Sequence, residues 1–130
     1  SQPNITFLGH QNKNLILKEM KLAKFLIFPT ECYEGFPITI LESFASALPV
    51  LASNIGAVSE IIKDKYNGIL FKSGNIEDIR KKINWTLSNT NECKKIAQNA
   101  LKEFETKYSS ETNYNLLIEI YKEAIKDNLQ

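Results

Sequence analysis

The sequence is short of the residues that staple, ligate or punctuate a chain. It has two cysteines, four prolines, five glycines, and one each of histidine, methionine and tryptophan. Cys32 and Cys93 lie far apart with no CxxC spacing, so no disulfide framework is expected and a reduced, cytoplasmic compartment is the simplest reading. No apolar run approaches the roughly 20 residues that span a bilayer, and the opening lacks the charged-then-apolar pattern of a signal peptide. Net charge is +1 with a pI near 7.7. That balance provides no long-range field to attract nucleic acid or anionic lipid. No His, Cys and Asp cluster has metal-ligand spacing, and no metal or other cofactor is expected. Neither GxGxxG nor GxxxxGK[ST] occurs, which argues against a standard dinucleotide site or a P-loop.

What is present is an ordinary globular composition. Hydrophobic residues make up 43% and charged residues 24% of 130 residues. A chain of that length forms one domain and buries a real core without disulfides or metals. Lysines and carboxylates are interleaved, as on solvated helix faces. The chain opens Ser1-Gln2-Pro3-Asn4 without an initiating Met and runs almost at once into an apolar segment. The expectation is a piece of a longer protein whose upstream partner is missing.

Short β-like runs alternate with helical runs over the first ~75 residues. Strands are expected over 4–8, ending at Gly9, and over 25–28, 49–52 and 68–71. The run 25–28 is continuously apolar and stops at Pro29, as in a strand buried on both faces. Helices are expected over 15–23, with Leu15, Met20 and Ala23 inward, and over 37–47, 58–63 and 76–87. Such alternation implies right-handed crossovers and a parallel sheet, an α/β fold. Two amphipathic helices follow, over 91–108 and 110–128. The second carries Tyr114, Leu117, Ile118, Tyr121 and Ile125 at helical spacing, with Ser109 or Ser110 as N-cap. Their expected role is packing.

The informative segment runs from Pro29 to Glu42. A buried strand ends at Pro29, a polar loop follows, and Gly35-Phe36-Pro37 turns into a helix. Pro37 suits a first helical turn because no donor is needed there. The amides of Ile38, Thr39 and Ile40 are then expected free at a positive helix end, a ready site for a phosphate or diphosphate. In an open α/β sheet, ligands sit at the carboxyl ends of the strands, where this loop must lie. At 100° per residue, Leu41, Phe44, Ala45 and Leu48 face the core, while Thr39, Glu42, Ser43 and Ser46 share the other side. Glu42 is thus placed about one turn into the helix, where a carboxylate can accept two hydrogen bonds from a vicinal diol such as a ribose. Glu34, on the loop, could accept from sugar hydroxyls. Acidic residues in a first turn also occur simply because they complement the helix dipole, so the pair alone is a weak signal.

Its context is specific. Glu34-Gly-Phe-Pro-x-x-x-Leu-Glu42 is followed by Ala45-Ser-Ala-Leu-Pro-Val50, Ala52-Ser-Asn-x-Gly56, Glu60-Ile-Ile, Asn67-Gly-Ile-Leu and Gly74. This ordered series, over residues 5–87, resembles the retaining glycosyltransferases of the GT-B fold, family 4 (glycosyl transferases group 1). The resemblance implies a Rossmann-like sheet flanked by helices. It makes residues 1–130 a truncated C-terminal nucleotide-sugar-binding domain, without the N-terminal acceptor domain.

It also implies roles. Glu34 matches the first Glu of the family's E-x7-E motif, which contacts the transferred sugar near the reacting carbon. Glu42 matches the second, which binds the ribose hydroxyls. The backbone at Gly35, Phe36, Ile38 and Thr39 matches the diphosphate-binding turn. Many relatives have Gly where this chain has Pro37, so that residue's amide contact is lost here. Gly9 and His10, with Gln11, match a loop that lies against the nucleotide base. His10 taken alone reads as a surface or turn histidine, Gly56 and Glu60 as turn and helix-start residues, and Cys32 as incidental. The implied reaction transfers a hexose-type sugar from a nucleoside diphosphate donor to a glycan or lipid-linked acceptor, with retention, as in polysaccharide biosynthesis. Peripheral membrane association of the full protein is compatible with this. The family's Arg and Lys that neutralise the diphosphate precede the first strand here, so the piece alone is expected to be inactive. Two alternatives stand beside this reading: a non-catalytic nucleotide-sugar-binding module, and a GT-B phosphorylase or epimerase relative.

Overall fold

The computed structural model describes residues 4–32 and 37–107, and beyond them only positions 118, 122, 125 and 126. The helix expected over 110–128 falls outside the described residues but for those four positions. The described elements run α1 (Lys13–Leu22), β1 (Leu26–Phe28), α2 (Ile38–Ala45), β2 (Val50–Ser53), α3 (Gly56–Ile61), β3 (Ile69–Phe71), α4 (Ile76–Ser88) and α5 (Thr90–Lys107). The three strands form a parallel sheet in the order β1-β2-β3. Leu26 pairs with Val50, and Leu51 pairs with Ile69. Each crossover passes through a helix, α2 and then α3, as the sequence alternation requires.

Side-chain alternation along β2 divides the core between two faces. Val50 and Ala52 pack with Ile40, Leu41 and Phe44 of α2, Val58 of α3 and Ala100 of α5. Leu51 faces the other way, with Ile69 and Phe71 of β3 and Cys93 and Ile96 of α5. All four residues of β2 are fully buried. The helix starts follow local capping chemistry. The Asn12 side chain accepts from the Leu15 amide at 2.9 Å, and Asn75 accepts from Asp78 at 2.9 Å. Each satisfies a donor that the first turn leaves open.

Four expectations are corrected. Residues 4–8 form no strand; they are irregular, and Phe7 is 88% exposed. A strand needs a hydrogen-bonded neighbour, and no described strand pairs with this segment. β1 is therefore not buried on both faces but half-buried at the sheet edge, with Ile27 37% exposed. The buried arc of α2 is also shifted. Ala45 is exposed, whereas Ile40 and Ser43 are buried. α2 is covered by both the sheet and α5, which widens its buried arc toward Ser43. The Ser43 hydroxyl is satisfied there by donating to the Leu48 carbonyl at 3.0 Å. In α1, Met20 is buried and Leu15 half-buried as expected, but Ala23 is exposed, because the helix ends at Leu22.

Candidate functional site

The carboxyl ends of the three strands are tied together. After β1, the Thr30 carbonyl accepts from the Ser73 hydroxyl beyond β3 at 3.2 Å. After β2, the Asn54 amide donates to the Phe71 carbonyl at 2.8 Å. Gly74 has φ +73°, and a Cβ there would fall 2.7 Å from Glu31 Oε1. The family-like Gly74 thus has a local reason: the loop after β1 packs against it.

Glu34, Gly35 and Phe36 lie outside the described residues. The turn is described again at Pro37, which is buried and caps α2 with φ −81°. Ile38 and Thr39 open the helix. Of the three amides expected to be free, that of Ile40 is engaged: it donates to the Pro37 carbonyl at 3.1 Å. The first turn tightens there because Pro37 supplies a carbonyl but no N–H.

Glu42 sits one turn further on, half-buried. It borders a cavity of about 180 Å3 with Lys13 and Leu17 of α1 and Phe104 of α5. Burial raises its carboxyl above the ordinary value, and the positive charge of Lys13 opposes that rise. A half-desolvated carboxylate beside a cation is a strong acceptor for hydroxyl donors.

Gly9 stands in the left-handed region at φ +67°, with open space where a Cβ would be. His10 is exposed at the bend. The Gln11 side-chain amide donates to the Leu8 carbonyl, closing this small loop. Leu8 and Gln11 border one cleft of about 390 Å3 with Thr39 of α2. The structure therefore brings the loop before α1 to the first turn of α2, although about thirty residues separate them in sequence.

Two features escaped the sequence reading. Nothing local marks Lys13, a lysine at a helix start, as the neighbour of a distant carboxylate. Ser53 ends the central strand with a buried hydroxyl that has no hydrogen-bond partner among the described residues; its signal is only its place in the Ala52-Ser-Asn-x-Gly56 run. Both cysteines are free, Cys32 exposed and Cys93 buried. Burial pushes the Cys93 thiol up, a bond with Thr86 opposes this and the charge of Glu92 adds to it, so it is a poor nucleophile at neutral pH. Among the described residues, no helix is long and apolar enough to cross a membrane.

A helix-flanked parallel sheet of this kind is the architecture of GT-B glycosyltransferases. The chain belongs to the glycosyl transferases group 1 family, whose model matches residues 1–103. It is 32% identical over 120 residues to an uncharacterized glycosyltransferase of Methanocaldococcus jannaschii, an alignment covering 92% of this chain and 34% of that protein. Among solved structures, it is similar to the C-terminal domain of a glycosyl transferase group 1 family protein from Francisella tularensis. That match has 32% identity and a TM-score of 0.69, covering 80% of this chain and 52% of the other. The fold also matches Anabaena HepE, solved with UDP and glucose, with a TM-score of 0.81 at 22% identity over 94% of this chain and 33% of HepE. The chain spans about a third of the length of the curated relatives it matches, 34% and 31% for the two from M. jannaschii.

Proposed function

We propose that this chain is the donor-binding part of a longer, retaining, family 4 glycosyltransferase. In this reading it holds a nucleoside diphosphate sugar, and a separate N-terminal domain presents a glycan or lipid-linked acceptor. The observation that carries the reading is the setting of Glu42. It lies half-buried one turn beyond the start of α2, a helix whose first turn shares a cleft with the loop before α1. A diphosphate at the start of α2 gains from the helix's positive end and from the Ile38 and Thr39 backbone. A ribose then reaches Glu42, and the base lies toward Gly9 and His10. Glu34, with Gly35 and Phe36 beside it, is assigned to the transferred sugar. The UDP and UDP-glucose complexes of HepE support a nucleotide-sugar donor. Stabilising the leaving diphosphate is the main catalytic demand, and the helix end meets part of it. The remaining cationic groups are assigned to the preceding segment, so the 130 residues alone should not turn over. No metal has a role in this reading.

A donor screen on the longer protein that carries this chain tests it, with Glu34→Ala and Glu42→Ala assayed beside it. The expected result is transfer from one nucleoside diphosphate hexose. Glu42→Ala should lose about 10- to 100-fold in kcat/KM, the scale of one or two charge-assisted hydrogen bonds. Full activity in both variants would overturn the assignment.

A further inference from the structure

A cavity of about 470 Å3 lies at the amino ends of the strands and adjoins the cleft that reaches Thr39. Phe25 and Pro49, which immediately precede β1 and β2, fix that position. Its floor is apolar, made by Met20, Phe25 and Leu48. Among the described residues its only charged lining groups are Lys21, Lys24 and Lys94, and no carboxylate lines it. All three lysines are exposed, and none forms a salt bridge among the described residues. Elsewhere positive and negative side chains are interleaved, with 16 Lys and Arg against 15 Asp and Glu in the whole chain. Here, among the described residues, three cations meet no anion.

Helix ends also contribute to the field. The C-terminal ends of α1, α2 and α4 border the cavity, each carrying about half a negative charge. The N-terminal end of α5 at Thr90 carries about half a positive one. Three full ammonium charges exceed those opposing halves, so the cavity attracts an anion. Long lysine stems can lie along the apolar wall while their heads stay at the rim. The volume is within the range of about 300–1,000 Å3 that accepts a small ligand.

We propose that this cavity binds a single-chain anionic amphiphile, its phosphate or carboxylate head among Lys21, Lys24 and Lys94 and its chain on the floor of Met20, Phe25 and Leu48. The cavity shares Met20, Ala23, Phe25 and Leu48 with the cleft that reaches Thr39, and its lysine rim is what sets it apart from that cleft.

Met20 is the only methionine, so a 13C-methyl methionine label reports from the floor that the cavity shares with the adjoining cleft, and the lysine variants assign a shift to the cavity. The test is an NMR titration of the chain with octyl phosphate, kept below its micelle concentration. The expected result is a saturable shift of the Met20 methyl signal. Lys21→Gln/Lys24→Gln/Lys94→Gln should weaken binding about tenfold, the scale of three partly screened charge contacts. Octyltrimethylammonium, with the same chain and the opposite charge, should give no saturable shift. Inorganic phosphate alone should bind more weakly than octyl phosphate. The triple variant changes only exposed residues and should keep its circular dichroism; if it does not fold, Lys94→Gln alone is read the same way. No saturable shift, equal binding of the cation, or undiminished binding by the folded variant would overturn the proposal.

Discussion

Asn67 is fully buried just before β3, and its side chain is engaged on both sides. Its carbonyl oxygen accepts from the Lys63 amide at 2.8 Å, and its amide donates to the Ile61 carbonyl at 3.2 Å and to Glu103 Oε2 at 2.7 Å. Asn67→Ala strands these groups and should cost about 2–3 kcal/mol in denaturant unfolding. Burial works to raise the Glu103 carboxyl, but bonds from Asn67 and Lys107 and the charges of Lys107 and Lys63 outweigh it, and the net shift is downward. A lowered carboxyl stabilises the fold above its unfolded value and loses that contribution as pH falls through the folded one. The melting-temperature advantage of wild type over Glu103→Gln should therefore be full at neutral pH and shrink below pH 4.5.

Glu42 has the opposite sign. Its carboxyl is raised, mainly by burial, so the folded state holds the proton more tightly than the unfolded chain. Ionised Glu42 opposes folding at pH values above its raised value, and the opposition disappears as pH falls below 4.5. Glu42→Gln should melt higher than wild type at pH 7 and equal it in acid, while binding nucleotide less well. The sequence marked Glu42 because its surroundings are local: a turn, a proline and a helix face. It could not mark Lys13, whose relation to Glu42 exists only once α1 and α2 are brought together.

At the scale of elements, the turn from α2 into β2 holds Ala47 at φ 51°, a left-handed conformation that costs an L-residue about 1–2 kcal/mol. The Leu48 amide donates back to the Ser43 carbonyl at 3.0 Å, closing the helix end. Ala47→Gly should raise stability by about 0.5–1 kcal/mol, read from the denaturant midpoint, because relieved strain exceeds the added entropy of the unfolded chain. Gly68 sets a packing limit. A Cβ there would lie 2.9 Å from Ile62 Cγ2 and 3.3 Å from the Val50 carbonyl oxygen. Helix and strand order was legible because apolar periodicity is local. The failures were those of partners. A run such as 25–28 reads as a central strand until the sheet shows it at an edge. The arc of α2 reads as a single stripe until α5 covers a second side.

At the scale of the whole molecule, the two-faced core on β2 is a scaffold whose carboxyl edge carries the candidate site and whose amino edge carries the lysine-rimmed cavity. Family and fold were readable from the ordered motif series, since each match sits at a turn or helix start that the geometry constrains. The geometry around Glu34 lies outside the described residues, so the first half of the E-x7-E motif rests on resemblance. The central claim is that the start of α2, Glu42 and the loop at Gly9 form one nucleotide site. A 15N NMR titration of the chain with UDP tests it most directly, since shifts report even weak binding. The account predicts weak, saturable shifts of the Gly9, His10, Ile38, Thr39 and Glu42 amides, lost in Glu42→Ala. Shifts confined to other residues, or unchanged in Glu42→Ala, would contradict it.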